Sequence, residues 1–234
     1  FDKADAQKFA DELSNEGLDV YVAGARAYST IGWFDDPLLN TMLYREEAMR
    51  VGVLFHELAH QQLYVQDDTA FNEAFAMVVA QEGVRRWFLH NGNTGAYQRF
   101  LESEQQRAEF NSLLKQTRNK LDNLYRESHK LELMRKKKQA IFQQMKADYT
   151  RLKHEWHNDN RYDAWMAQSI NNAHLALVAT YHELVPSMKA YMREVEGDLP
   201  EFYQQMEQLA KLPKAERHQN LMALVSRQNS LQLP

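Results

Sequence analysis

The segment Phe55–Ala76, FHELAHQQLYVQDDTAFNEAFA, carries the residue types of a metal-dependent hydrolase. His56 and His60 are four positions apart, so on a helix their imidazoles lie on one face within reach of a common ion. Glu57 lies about 100° further round the helix, beside that ion, where it can take a proton from a water molecule. This His-Glu-x-x-His spacing is typical of zinc metallopeptidases.

A catalytic zinc ion needs a third protein ligand and one open position. The chain has no cysteine, so imidazoles and carboxylates must supply the ligands. Glu73 is the first candidate, because twelve residues separate it from His60 and a chain that turns back through VQDDT would return it to the first helix. Asp67, Asp68 and Glu82 stay open as alternative third ligands.

The motif also has a simpler explanation, in which both histidines are ordinary buried residues and Glu57 makes an ion pair. Two features favour the metal. The surrounding helix is apolar, so an unpaired Glu57 would be strongly destabilising. A second carboxylate also follows just after the loop. Three carboxylate or imidazole groups together in a buried place favour a bound cation. We therefore predict a zinc site.

Composition sets the wider limits. The chain has 234 residues, of which 44% are hydrophobic, as in folded globular proteins. Its net charge of -4 gives no general attraction to nucleic acid or to anionic membranes. No apolar run is long enough for a transmembrane segment. The first residue is Phe1 rather than Met, so we expect a processed or truncated piece.

Helical periodicity dominates the chain and predicts a mainly α fold. The helices that carry the motif are expected over 44–64 and from about 68 to 90, after an N-terminal helix over 4–13. Val20 and Val22 alternate after a turn and predict a small β element. Neither Gly nor Pro occurs between Gly95 and Pro186, and a single helix of that length would be well over ~100 Å long.

That stretch must therefore fold back on itself. Polar residues near Ser128 and Asp159 are the expected breaks, which gives a long antiparallel helical hairpin of 96–126 and 131–153, then a further helix before Pro186. The predicted organisation is a zincin-like segment with its strand over 1–95, the hairpin over 96–156 and C-terminal helices over 157–234, with short helices near 201–209 and 215–225.

Five strings together resemble one bacterial family, that of proposed zinc-dependent aminopeptidases long described as a domain of unknown function. They are AYSTIGWFDDPLLNTML, FHELAHQQLYV, DTAFNEAFA, EGVRRWF and INNAHLALVATYHELVP. The resemblance extends over nearly the whole chain. It implies a gluzincin-like metallopeptidase, with His56, His60 and Glu73 as zinc ligands and Glu57 as the catalytic acid and base.

Three departures from well-studied gluzincins are visible, the first being that the twelve residues between His60 and Glu73 are fewer than is usual in that group. Met77 stands where thermolysin-like enzymes place a supporting Asp, and the sequence lacks the Gly-x-Met-x-Asn motif that helps aminopeptidases hold a substrate's α-amine. Aminopeptidase and endopeptidase activity both stay open. The resemblance also implies export to the bacterial envelope, with periplasmic placement and a lipoprotein anchor on a part that precedes this sequence.

Further residues are candidates for substrate and transition state. Tyr181 and His182 lie in a family-like block, where Tyr181 could stabilise the oxyanion and His182 could contact the substrate. Tyr28 and Ser29 end the expected strand and could present its edge to an extended peptide. The expected partner is thus a peptide or protein substrate.

The basic run RKKKQ on the hairpin is most simply a solvated helix face, and no nucleic acid partner is expected. The hairpin could instead bind a protein partner. This leaves one alternative function, a catalytically silent envelope protein that keeps zinc for stability and binds through its hairpin.

Overall fold

The structure is a computed structural model that describes residues 2–23, 46–128, 130–182 and 184–231. The described residues form ten helices and no strand, which confirms the mainly helical prediction. In chain order the helices are α1 (Lys3–Asn15), α2 (Glu47–Gln62), α3 (Thr69–His90), α4 (Thr94–Arg126), α5 (Leu131–Glu155), α6 (Asp163–Met166), α7 (Asn172–His182), α8 (Val185–Glu194), α9 (Leu199–Ala210) and α10 (Lys214–Leu231).

The predicted small β element is not seen. Within its described part, residues 18–23, the backbone forms neither helix nor strand, and the remainder lies outside the described residues. This segment is held by side chains instead of by a neighbouring strand. Asn171 Nδ2 donates to the Val20 carbonyl at 2.8 Å, and the ring of Tyr21 stacks on that of His174 with centroids 3.9 Å apart. The zincin-like core consequently stays a prediction.

The chain divides into two compact units. One comprises Phe1–Gly24 and Glu102–Ala179, and the other comprises Ala25–Leu101 and Thr180–Pro234. The boundaries fall within α4 and α7. The predicted division into three segments stays a prediction.

The first unit contains the predicted hairpin of α4 and α5. Trp156 Nε1, just after α5, donates to Glu109 of α4 at 2.6 Å, while Lys137 pairs with Glu127 at 3.4 Å near the connection. These pairings bring the middle of α4 next to the end of α5 and the end of α4 next to the start of α5, so the two helices are antiparallel. Buried Phe110 packs on Tyr162 with ring centroids 3.9 Å apart and anchors the core of this unit.

The second unit is built around α3, whose sequence is apolar nearly all round and therefore suits a central helix. Its side chains pack against α2, α8, α9 and α10. Phe75 and Phe202, for example, stack with centroids 5.8 Å apart. Helices α6 and α8 were not predicted from the sequence; Pro186 lies in the first turn of α8, where its missing N–H does no harm.

No helix among the described residues is both long enough and apolar enough to cross a membrane.

Helices α2 and α3 approach closely at Gly83. A Cβ atom placed on Gly83 would come within 2.5 Å of the ring of Phe55, the residue that precedes His56. Glycine at this position therefore lets Phe55 lie against α3. Trp87 Nε1, one turn further along α3, donates to Glu47 at 2.8 Å and fixes the other end of the contact.

We predict that Gly83→Ala destabilises the fold by about 1–3 kcal/mol, because the clash with Phe55 outweighs the better helix propensity of alanine. Urea unfolding of the metal-free protein measures the change. Gly52→Ala is the matched control, since its Cβ would lie 3.6 Å from Val84, an ordinary contact, and should be neutral or stabilising. Equal stability changes for the two variants would contradict this account of the contact.

Candidate metal centre

The centre is assembled by α2 and α3. His56 and His60 lie one turn apart on α2, and Glu73 is the fifth residue of α3. His60 is buried, whereas the side chains of His56 and Glu73 are about one-quarter exposed (25% and 23%). The arrangement is thus reachable from solvent on one side and enclosed by protein on the other.

Three polar groups converge there. The Nε2 atoms of His56 and His60 are 3.2 Å apart. His56 Nε2 lies 3.4 Å from one carboxylate oxygen of Glu73, and His60 Nε2 lies 3.7 Å from the other. Among the described residues, this is the set of three or more His, Asp and Glu side chains whose atoms are close enough to hold a metal ion.

These separations fit a tetrahedral zinc ion. Ligand atoms at zinc's usual bond lengths of about 2.0–2.1 Å lie about 3.3 Å from one another in tetrahedral geometry. Two imidazole nitrogens and one carboxylate are also the donor set of many catalytic zinc sites. The residues therefore fit the ion that the sequence predicts, although the identity of the metal stays a prediction.

The electrostatics of His60 suit a ligand. Burial lowers the pKa of His60, repulsion from His56 lowers it further, and the Glu73 carboxylate partly opposes both. The neutral imidazole, which is the form that binds metals, is thereby favoured. The buried Nδ1 of His60 makes no hydrogen bond within the described residues. Packing therefore orients the imidazole, and one of its neighbours is the ring of Tyr64, with ring centroids 6.4 Å apart.

The reversal between the two helices is fixed by Asn72, the neighbour of Glu73. The Asn72 side chain is buried, and its amide accepts from Val65 N–H and donates to the Val65 carbonyl, both at 2.8 Å. One side chain therefore satisfies both backbone groups of a loop residue. Because Asn72 and Glu73 are adjacent, holding the loop also sets where Glu73 meets the histidines.

A buried charge network fixes the start of α3. Asp68 caps the helix by accepting from Phe71 N–H at 3.3 Å, and it also pairs with Arg217 and with His218 Nε2, the latter at 2.9 Å. Arg217 donates in turn to the Leu212 carbonyl at 2.8 Å. Asp68 therefore serves both as the cap of α3 and as the ion-pair partner of two side chains from α10.

The structure thus separates Glu73 from the other candidate third ligands. Asp67 is exposed, and its carbonyl accepts from Lys214. Glu82 is held by Arg85 and Arg86 at 2.7 and 2.8 Å. Burial opposes ionisation of Glu82, but hydrogen bonds from the two arginines outweigh it and lower the pKa of Glu82. Among the four carboxylates, Glu73 is the one that the described residues place beside both histidines.

The predicted catalytic and substrate residues are placed less completely. Glu57 follows His56 on α2 and is half-buried. Tyr181 and His182 end α7 within the unit that holds the metal-binding group, and only their backbone is described. Tyr28 and Ser29 lie outside the described residues. Met77, which replaces a supporting Asp, packs partly buried against the apolar core.

Sequence reasoning missed the roles of Asn72 and Arg217. For Asn72 the visible signal was its position directly before Glu73, the candidate third ligand. For Arg217 the chain offered no local signal, since its partner Asp68 is 149 positions away.

Comparison with known families settles the family membership. The chain belongs to the family described as "Putative aminopeptidase", which matches residues 1–221. This confirms the resemblance on which the sequence analysis relied. Comparisons with curated proteins and with solved structures return no significant match.

We predict that the purified chain binds about one zinc ion and that Glu73→Ala loses it or binds it much more weakly, because two imidazoles alone make a poor site. Mass spectrometry of the native protein and competition with a chelator measure this. Glu102→Ala, an exposed change on α4, is the control. Zinc binding that survives Glu73→Ala unchanged would assign the third ligand elsewhere.

We predict that Asn72→Ala weakens zinc binding by at least about tenfold while the chain stays folded, because two hydrogen bonds worth about 1 kcal/mol each no longer hold the loop. Asn220→Ala is the matched control, since Asn220 also donates to a backbone carbonyl but is exposed on α10. Unaltered zinc affinity in folded Asn72→Ala would show that the loop needs no such clamp.

Proposed function

We propose that this protein is a zinc-dependent peptidase that hydrolyses peptide bonds, with aminopeptidase activity as the first form to test. The observation that carries the proposal is the convergence of His56, His60 and Glu73, with Glu57 next to His56 in the chain. Membership of a family described as aminopeptidases supports the same reaction class. In this proposal His56, His60 and Glu73 hold the zinc ion.

A bound zinc ion would polarise the scissile carbonyl and lower the pKa of the attacking water molecule. Glu57 acts as the general base: its carboxylate accepts a proton from that water as the oxygen attacks the carbonyl carbon. Glu57 then returns the proton to the leaving amine when the C–N bond breaks. It ends the cycle ionised, as it began.

Residues beyond the metal-binding group are assigned by position in the chain. Tyr181 is the proposed donor to the oxyanion, because a negative charge that develops on the carbonyl oxygen needs a hydrogen-bond donor. His182, Tyr28 and Ser29 are proposed substrate contacts. The family resemblance supports placement in the bacterial envelope, again as a proposal.

We predict that Glu57→Gln lowers peptide hydrolysis by at least about 10²-fold without loss of zinc, because the amide cannot accept the proton of the attacking water. Turnover of a peptide library, with zinc content measured on the same samples, tests this. Glu46→Gln, an exposed change just before α2, should leave turnover unaltered.

Two outcomes would count against the proposed reaction. Full activity in Glu57→Gln would remove Glu57 from the mechanism. A zinc-loaded wild type with no hydrolysis of any peptide would favour the silent, zinc-stabilised alternative.

Aminopeptidase activity makes a separate prediction about the substrate. Peptides with a free α-amine should be cleaved, and the same peptides acetylated at that amine should be cleaved at least about tenfold more slowly, since a site that binds an ammonium loses its partner. Mass spectrometry of the products distinguishes release of the first residue from internal cleavage. Equal cleavage of both sets would identify an endopeptidase.

A further inference from the structure

The first turn of α5 exposes two leucines, in a hairpin that buries several others. Leu131 is 65% exposed and Leu133 is 46% exposed, whereas Leu113, Leu114 and Leu121 are buried in the core of the same unit. The amphipathic packing of the hairpin therefore does not require leucine at the two exposed positions. Leu131 and Leu133 are the first and third residues of α5 and lie on different sides of the helix, but both are at its exposed end, where an end-on contact can use both.

Positive charge outweighs negative charge around the two leucines, although the exposed Glu132 lies between them. Seven basic and three acidic residues lie between Lys120 and Lys138, in a chain whose net charge is -4. Two of these cations are engaged, since Lys137 pairs with Glu127 and Lys138 pairs with Asp19. Exposed cations also flank the leucines on both sides in sequence: Arg126, Lys130, Arg135 and Lys136.

The start of α5 adds donors to the same place. Lys130 occupies the cap position and provides no side-chain hydrogen bond to the first turn. The first N–H groups of a helix favour an anion, and phosphate is a suitable acceptor for them. Leu131 is itself the first residue of that helix, so donors, cations and leucines share one end of the hairpin.

We propose that this hairpin end, defined as Arg126, Lys130, Leu131, Leu133, Arg135 and Lys136, docks on an anionic phospholipid bilayer. The two leucines enter the headgroup boundary, while the long Lys and Arg side chains reach lipid phosphates. Nucleic acid would account for the cations but not for the leucines. A bilayer is fluid and needs no preformed pocket of matching shape, unlike an acidic protein partner.

Co-sedimentation of the full chain with lipid vesicles tests this proposal. We expect binding to phosphatidylcholine vesicles that contain about one-third phosphatidylglycerol, and little binding to phosphatidylcholine alone. Binding should fall by at least about tenfold when salt is raised to about 0.5 M, since the attraction is screened.

Two double variants separate the charge from the apolar contact. Arg135→Gln with Lys136→Gln, and Leu131→Ser with Leu133→Ser, should each weaken vesicle binding by at least about tenfold. The matched controls are Lys115→Gln with Arg118→Gln, which removes the same charge from exposed positions further along α4, and Leu89→Ser, an exposed leucine of α3. The controls should bind as the wild type does.

Three results would overturn the proposal. The first is a wild type that does not bind anionic vesicles, and the second is binding that survives either hairpin variant. The third is binding to polyglutamate that matches vesicle binding and ignores the leucine substitutions, which would assign the surface to an acidic protein. None of these readouts depends on zinc or on peptidase activity.

Discussion

The reversal of the chain between α2 and α3 is the constraint on which the candidate site depends. Two helices supply the three side chains of the candidate metal site, and only six residues, 63–68, connect them. A loop this short has few conformations that leave its backbone polar groups satisfied. Asn72 satisfies both groups of Val65 from inside the fold, and Asp68 caps α3 while it binds Arg217. Asn72 and Asp68 thus fix the turn, and the turn places Glu73 beside the two histidines.

The second unit illustrates three ways in which a protein accommodates a carboxylate away from bulk water. Asp68 is paired with a guanidinium and an imidazole from α10, and Glu82 is clasped by two arginines of its own helix. Glu73 instead faces two imidazoles, one of which is favoured in its neutral form. A metal ion would balance the charge of Glu73, whereas arginine or lysine side chains already balance the charges of Asp68 and Glu82.

The first unit has a different character. Its hairpin is stabilised by aromatic packing and by hydrogen bonds at both ends, such as that from Trp156 to Glu109. Its remaining surface carries the basic residues that a net-negative chain concentrates in one stretch. The proposed catalytic site and the proposed lipid contact thus belong to different units, and each can be tested without the other.

The sequence by itself determined most of the helices and the two histidines of the site. A four-residue spacing on a helix has one geometric outcome, and long apolar periodicity without Gly or Pro leaves little choice but helix. The sequence missed α8 because Pro186 was interpreted as the end of a helix when it occupies the first turn of the next one. The described residues 18–23 do not form the predicted strand. Alternation around Val20 does not show whether a partner strand exists.

Tertiary structure decided the rest. Several carboxylates followed the motif, and the sequence favoured Glu73 but left Asp67, Asp68 and Glu82 open. Arg217, 149 positions from Asp68, pairs with that residue at the start of α3, whereas Arg85 and Arg86 pair with Glu82 on their own helix. Glu73 lies beside His56 and His60. The meeting of a carboxylate with both histidines depends on how α3 packs on α2, whereas the spacing of the two histidines is a property of one helix.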